Sequence, residues 1–483
     1  MSIVGIDFGS HTASVAIWYE EKNVVEVLAD DLGSRTIPTA VAFRGDEIIT
    51  GQAAISQMHK NANNTFDDVR SLLLSDSVAN INVPLLDKDL TVQEVSSHFF
   101  RNIHNQIKQQ VGKVVRDCVI SVPKSLDEDI RKRLVESAQA GGMRVKALIE
   151  DSVSALMAHH LDEPSTAPTR TLVLDLGWSA TSLSLYNVSG GLLFPVGTTT
   201  LSEASGCTFV NLVAAHCAKE FARKHKIPCD DNKKSMMRLR RECENAMKSL
   251  STGAEATIDI DSLCEGVDYS SKLSRARFED LITIPFMHLK NAINALLAQA
   301  GWSADSVQQV LLSGGGSAIP KVISTLKSMF PTAKFPVGRF EPSETPCIGA
   351  CLHGKFLSQQ GLIESAPTAS PVAPILTRGL RIASAAGADS VEVLPVNTVL
   401  PVRVELNAAL PAGQTKGFVQ LLATAVELAD AATPLGDLVF EHAAEGELRL
   451  VLAVSELGEI SLEVVQSADQ TVLANLTVPA AEA

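Results

Sequence analysis

The hydrophobic pattern of this chain changes character once. Up to residue 358, apolar runs of strand length alternate with stretches of helical period; beyond residue 375 only short alternating runs remain, parted by Gly, Pro and Asn. In the first region the pattern predicts an apolar hairpin over Ile3–Trp18 and a strand at Ala40–Phe43. A helix is expected to open within Ile48–Ala54. Thr91, with Glu94 three residues on, reads as the N-cap of a helix running to Val111. Cys118–Pro123 reads as a buried strand, Asp127–Gly141 as a helix stopped by Gly141 and Gly142, and Ile149–Leu161 as another helix. Further helices are predicted at Asn211–His225, at Lys233–Ser251 and, as one long element, at Arg275–Ala300. Strands are predicted at Thr257–Ile260 and at Val310–Ser313, the latter entering a Gly-rich loop before a helix from Pro320. Such alternation predicts an α/β sheet architecture. Past the change, Ser390–Leu394, Val402–Leu406, Phe418–Ala423, Leu448–Val454 and Ile460–Val465 predict an all-β sandwich. The domain reading is therefore 1–358, a linker rich in Ala, Pro and Ser at 359–374, and a β module at 375–483.

The first hairpin carries chemistry at its tip, Gly5-Ile6-Asp7-Phe8-Gly9-Ser10-His11-Thr12. Asp7 places a carboxylate at a strand end, suited to a metal ion or its waters. Gly9 allows backbone to approach an anion with no Cβ in the way. Ser10 and Thr12 add hydroxyl and amide donors. One Asp-x-Gly turn says little, since many hairpins have one. It recurs, however: Leu172-Val173-Leu174-Asp175-Leu176-Gly177 runs into Trp178–Ser182 and a second apolar strand, with Asp175 over Asp7 and Gly177 over Gly9. Two such hairpins predict two related lobes closing on one nucleotide, the plan of the superfamily of actin, sugar kinases and heat-shock chaperones.

Composition narrows the classes. The chain has 483 residues, 46% hydrophobic and 20% charged, and two or three domains are expected. No apolar run approaches the ~20 residues of a membrane helix, no signal peptide is evident, and a cytoplasmic location is expected. The eight Cys form no C-x-x-C pair, which argues against zinc and for buried thiols in a reducing compartment. The net charge is −14, and residues 363–483 hold 15 Asp/Glu against 5 Lys/Arg. That charge disfavours direct contact with nucleic acid. The basic face at Lys233–Ser251 has no interleaved aromatics and reads as solvated surface.

The ordered series of motifs resembles the 70-kDa heat-shock chaperones over essentially the whole chain. It comprises Gly5–Gly9, Ala29–Thr39, Val119–Pro123, Ile258–Gly266, Arg275–Glu279 and Leu312–Lys321. The resemblance implies an actin-like nucleotide-binding domain followed by a β-sandwich of the substrate-binding type, with ATP and accompanying Mg as cofactor. By position it implies a first phosphate loop of Asp7, Gly9, Ser10, His11 and Thr12, and a second opened by Asp175 and Gly177, with Asp7 and Asp175 toward the metal. Gly206 falls in a turn beside the nucleotide. Glu244, Lys248 and Ser251 lie on a helix flanking the adenosine, opposite Gly314 and Gly315. Pro123 and Arg131 match the relay pair between the domains.

Departures from the family pattern fall on the chemical step. Arg70 stands for a Lys that positions the attacking water, and an ammonium is not a guanidinium. Asp151 stands for a metal-shell Glu. Ala180 and Ser182 replace a Thr and an Asp in the second loop, Trp178 replaces a Gly, His11 a Thr, and Cys207 a Glu. Met247 and Ala318 remove a Lys and an Arg from the adenine slot. Phosphoryl transfer rests on positioning and charge stabilisation, so no residue is assigned as an effective catalyst; Arg70, Asp151, Ala180 and Ser182 are read as degenerate positions. The acidic-leucine linker of the family is absent, and no helical lid is expected after the β module.

These departures resemble the atypical cytosolic members that partner a zuotin-type J-protein in the ribosome-associated complex. The expectation is a regulatory co-chaperone that binds ATP with little or no hydrolysis, forms a stable heterodimer with such a J-protein, and reaches the ribosome and nascent polypeptide through it. The alternative is an ATP-hydrolysing, peptide-binding chaperone of the same family. A sugar or acetate kinase ranks last, because a β module follows the nucleotide fold.

Overall fold

A computed structural model describes all residues except 1, 30–32, 76–79, 125, 162–167, 337–339, 361–373, 385–389, 397, 409–413, 426–427, 442–446, 456, 468 and 480–483. Two compact units result, Met1–Ser370 and Pro371–Ala483. Nearly all of the expected linker lies outside the described residues, as do Asp30, Asp31 and Leu32 of the Ala29–Thr39 motif; the helix before the linker runs to Gln359.

The first unit is a pair of lobes, each built on a sheet whose centre is one of the repeated hairpins. In the first lobe the strands run in the order Arg144–Glu150, Asp117–Val122, Ile3–Phe8, Thr12–Tyr19, Val24–Val27, with Ile37–Pro38 also on Thr12–Tyr19. In the second the order is Leu192–Leu201, Thr181–Ser189, Thr169–Leu176, Gln309–Ser313. The repeat holds to the register. Asp7 faces Ser14 across its antiparallel partner and Ser121 across its parallel one; Asp175 faces Ser182 and Ser313 in the same way. Both aspartates thus sit at the carboxyl ends of parallel neighbours, where open α/β sheets place ligands. Separate cores hold the lobes. One packs Ile6, Phe8, Phe99, Phe100 and Ile120; the other packs Leu174, Leu183, Phe209, Phe286 and Phe330.

Two helices join the lobes by exchange. Asp151–Ala158 leaves the first lobe yet packs Ala155 and Leu156 on Val173, Tyr186 and Leu311 of the second sheet. Thr345–Gln359 leaves the second lobe yet packs Cys347, Ile348 and Cys351 on Ile3, Trp18 and Val119 of the first. Cys347 and Cys351, four residues apart, share one buried face of that helix. The helices meet where Gly349 lies against Ser154: a Cβ on Gly349 would stand 1.8 Å from the Ser154 carbonyl oxygen.

Several expectations hold residue by residue. The helix Val92–Val111 starts at Thr91, whose hydroxyl accepts from the Glu94 amide at 3.1 Å while the Glu94 carboxylate accepts from the Thr91 amide at 2.8 Å. Others need correction. Ile149 and Glu150 end a strand, Arg144–Glu150, and the helix begins at Asp151; burial between neighbours outweighs helical spacing there. Ile48–Thr50 belong to the strand Glu47–Thr50, and the helix opens only at Gln52. The helix expected from Asn211 begins five residues earlier, at Gly206, capped by Ser205. Arg275–Ala300 is two helices, Arg275–Leu281 and Thr283–Gln299, bent by 61°. Pro285 explains the break, since its ring has no N–H and clashes with the carbonyl four residues back, that of Leu281. No single helix among the described residues is long and apolar enough to cross a membrane.

The second unit is a sandwich of two four-stranded sheets. One orders Ser390–Leu394, Gly379–Ala383, Lys416–Ala425, Leu428–Glu441; the other orders Val402–Ala408, Leu448–Val454, Ile460–Gln466, Val472–Val478. Leu380, Leu421 and Phe440 from one face meet Leu450, Leu452 and Leu462 from the other. The alternation pattern found five of these strands. It gave no sign of Leu428–Glu441, where Pro434 and Gly436 interrupt the period and the pairing shifts register between Leu421 and Leu422.

Candidate functional site

Both hairpin tips open into one cleft of about 650 Å³ between the lobes. Its walls carry Asp7, Gly9, Ser10, His11 and Thr12 from the first tip and Asp175, Gly177, Trp178, Ser179, Ala180 and Ser182 from the second. Arg70, Pro123, Asp151, Gly314 and Gly315 line it too. The remaining expected residues lie around it. Glu244 faces an adjoining cavity of about 870 Å³, and Lys248 pairs with Glu244 at 2.5 Å. Ser251 donates to the Met247 carbonyl at 3.4 Å. The Gly206 amide donates to the Gly177 carbonyl at 3.0 Å and the Cys207 amide to the Trp178 carbonyl at 2.8 Å, so this turn clamps the second loop. The Arg131 guanidinium donates to the Leu126 carbonyl at 3.1 Å and does not line the cleft.

Each tip is shaped by backbone needs. The Gly177 amide closes its turn on the Ala180 carbonyl at 3.0 Å. Gly314 has φ +77°, ends the strand Gln309–Ser313, and is followed by the 3-10 turn Gly315–Ala318. A side chain there would meet the Asp175 carboxylate and the Leu176 carbonyl.

Three buried carboxylates define the electrostatics. Burial, then the nearby Asp151, pushes Asp7 up to about 8, with Arg70 pulling the other way. Asp175 rises to about 7 for the same reasons. Asp151 is raised by burial, and its Oδ1 is buried with no hydrogen-bond partner. Two cations, Arg70 and Lys124, line the cleft against three buried carboxylates and leave it short of positive charge. Among the described residues no three such side chains converge closely enough to ligate one metal ion directly. A divalent cation would be held there through its waters by Asp7, Asp151 and Asp175, the unpartnered Asp151 Oδ1 among them.

At the mouth of the cleft the two loops touch. The Ser10 and Ser179 hydroxyls share a hydrogen bond. The His11 imidazole stacks on the Trp178 indole with centroids 4.0 Å apart and planes 16° from parallel. Its Nε2 lies 2.9 Å from the Glu244 carboxylate. Burial alone would raise Glu244, but the hydrogen bond and charge of His11, with Lys248, bring it down to about 2. The sequence marked Trp178 and His11 as replacements; it held no sign that each is the other's partner, nor that Ser179 pairs with Ser10.

The Hsp70 protein family is matched over residues 3–75 and 73–436. Human heat shock 70 kDa protein 14 is 31% identical over 431 residues, 83% of this chain and 84% of that protein. Heat shock cognate 70 kDa protein 3 of Dictyostelium discoideum is 28% identical over 429 residues, 83% of this chain and 67% of that protein. Heat shock 70 kDa protein 2 of Paracoccidioides lutzii is 29% identical over 378 residues, 74% of this chain; the aligned part spans only 57% of that relative.

Proposed function

The chain belongs to the Hsp70 family, and from that membership we propose a chaperone subunit that binds Mg-ATP but hydrolyses it little or not at all. One observation carries the reading: Ala180 and Ser182 occupy the cleft wall beside Asp175 and Gly177, so the wall has neither a threonine hydroxyl nor a carboxylate where the family pattern puts them. When bound, Mg-ATP supplies the phosphoryl group and the cation that neutralises its charge. The chain's own residues orient it. Gly9 and Gly177 let main chain approach the phosphates, Asp7, Asp151 and Asp175 order the cation's waters, and Arg70 presents a positive charge. Ala180 and Ser182 bring neither the threonine hydroxyl nor the carboxylate of the family pattern to the stabilisation of developing charge, and that loss falls on the chemical step more than on binding.

The same reading makes the protein the partner of a zuotin-type J-protein, acting on nascent chains in the cytoplasm and reaching the ribosome through that partner. The β sandwich supports it. Among the described residues its edge strands are Ser390–Leu394, Leu428–Glu441, Val402–Ala408 and Val472–Val478. Val391, Val439 and Val472 on three of them are at least half exposed. Such edges accept an extended segment by main-chain pairing, and an acidic module suits a basic partner.

Single-turnover measurement with labelled ATP tests the core of the proposal. ATP is expected to bind and remain intact over many minutes; turnover at the rate of an ordinary family member would overturn it. That second reading, an ATP-hydrolysing peptide-binding chaperone, has one observation in its favour, the convergence of Asp7, Asp175 and Arg70 on the cleft. For the partner, co-purification on sucrose gradients is expected to recover a J-protein at near-equal stoichiometry with ribosomes; recovery of free chain alone would exclude it.

A further inference from the structure

Two cavities meet at one pair of side chains. The inner cleft of the aspartates and the outer cavity beside Glu244 are both lined by His11 and Trp178, which form the wall between them. The pair spans the lobes: His11 belongs to the first hairpin, Trp178 to the second, and Glu244 to the helix Lys233–Thr252 of the second lobe. Ser10 and Ser179 add another bond across the same gap. Every link is made by this chain's own atoms.

We propose that His11 and Trp178, with Glu244 and the Ser10–Ser179 bond, form an interlobe latch that holds the cleft closed with no nucleotide bound. An offset aromatic stack and a hydrogen bond to an ionised carboxylate are each favourable at a partly buried site. Together they act between bodies already joined by the packed helices at Gly349 and Ser154, so little orientational freedom is lost on closing. A ligand passing from the outer cavity to the aspartates has to part the stack. Closure is thus built in, and nucleotide does not have to supply it. The latch stands whether or not nucleotide is held, and so goes beyond the function proposed above.

The test is the distance across the mouth of the full-length protein. Spin labels placed through a ketone-bearing amino acid at the exposed positions Ser56 and Asn245 leave the eight cysteines untouched. Pulsed electron resonance on nucleotide-free protein is expected to give one narrow distribution that Mg-ATP does not shift. His11→Thr and Trp178→Gly are each expected to broaden it to longer distances. Trp178→Phe, which keeps a ring to stack on, is expected to stay narrow and guards against a folding artefact. A broad wild-type distribution that narrows on adding Mg-ATP would overturn the latch. So would His11→Thr and Trp178→Gly distributions as narrow as the wild type. Calorimetric titration of the same samples reads ATP binding separately: no heat with a narrow distribution refutes the nucleotide reading and leaves the latch intact.

Discussion

A Cβ on Gly314 would stand 2.4 Å from the Asp175 Oδ1. The glycine that ends one strand of the second lobe thereby fixes how deeply the aspartate of its neighbour can sit. Gly314, at φ +77° and ψ 147°, sits where essentially only glycine is tolerated, so Gly314→Ala is expected to destabilise the protein by more than the ~1–3 kcal/mol of that backbone strain alone, and to weaken ADP binding at least tenfold. Gly45→Ala supplies the comparison, since Gly45 has φ +59° with open space around it. Denaturant melts and calorimetric titration of both variants measure the difference.

Asp7 and Asp175 set a pH dependence. Burial and neighbouring carboxylates hold Asp7 protonated up to about 8 and Asp175 up to about 7, against an ordinary 3.8. The folded chain then carries more protons than the unfolded one across that window. Stability is highest at its acid end and falls as pH rises toward 7 and 8. Asp7→Asn is expected to raise the melting temperature by several degrees at pH 8, with the gain shrinking as pH falls toward 4. Added Mg²⁺ is expected to release protons at pH 7, because ionised carboxylates hold the cation's waters better. Titration in two buffers of different ionisation heat counts them.

The second phosphate loop is open to repair. Trp178→Gly combined with Ala180→Thr removes the indole from the loop and restores a hydroxyl to the cleft wall. Nucleotide affinity is expected to rise several-fold first, with turnover still near background because Ser182 supplies no carboxylate. Equilibrium binding of a fluorescent ADP and single-turnover hydrolysis report the two effects separately.

Thr91 and Glu94 close a reciprocal cap on the helix Val92–Val111, whose Phe99, Phe100 and Ile103 are core. Thr91→Ala is expected to cost about 1 kcal/mol. Thr91→Asn is expected to cost little, since asparagine caps as well. Urea unfolding followed by circular dichroism distinguishes them.

That cap was legible because capping is local: two side chains three residues apart satisfy two amides. The paired hairpins were legible for a related reason, each being a run of apolar alternation around one Asp-x-Gly turn. What stayed hidden depends on distant chain. Arg144–Glu150 is a strand because Asp117–Val122 lies beside it. Leu428–Glu441 tolerates Pro434 because a register shift absorbs it. In the site, the two Asp-x-Gly tips mark most of the residues that the cleft brings together. Glu244 was placed on an adenosine-flanking helix, and here its carboxylate is held by His11 of the other lobe, a contact no pattern along the chain encodes. The break at Pro285 and the Ser205 cap before Gly206 are local signals that apolar spacing alone overrides.

The close approach of Gly349 to Ser154 makes the joint between the lobes a bearing of backbone on backbone. A hinge padded with side chains can yield by changing rotamers; this one has none to change at its point of contact. At that point it has no room to compress, because backbone already lies against backbone. Whatever opens the cleft must therefore act as a lever from its far rim, where a small angle at the bearing becomes a large gap. A force applied at the mouth is multiplied at the pivot, and a single methyl group added there would jam the whole jaw.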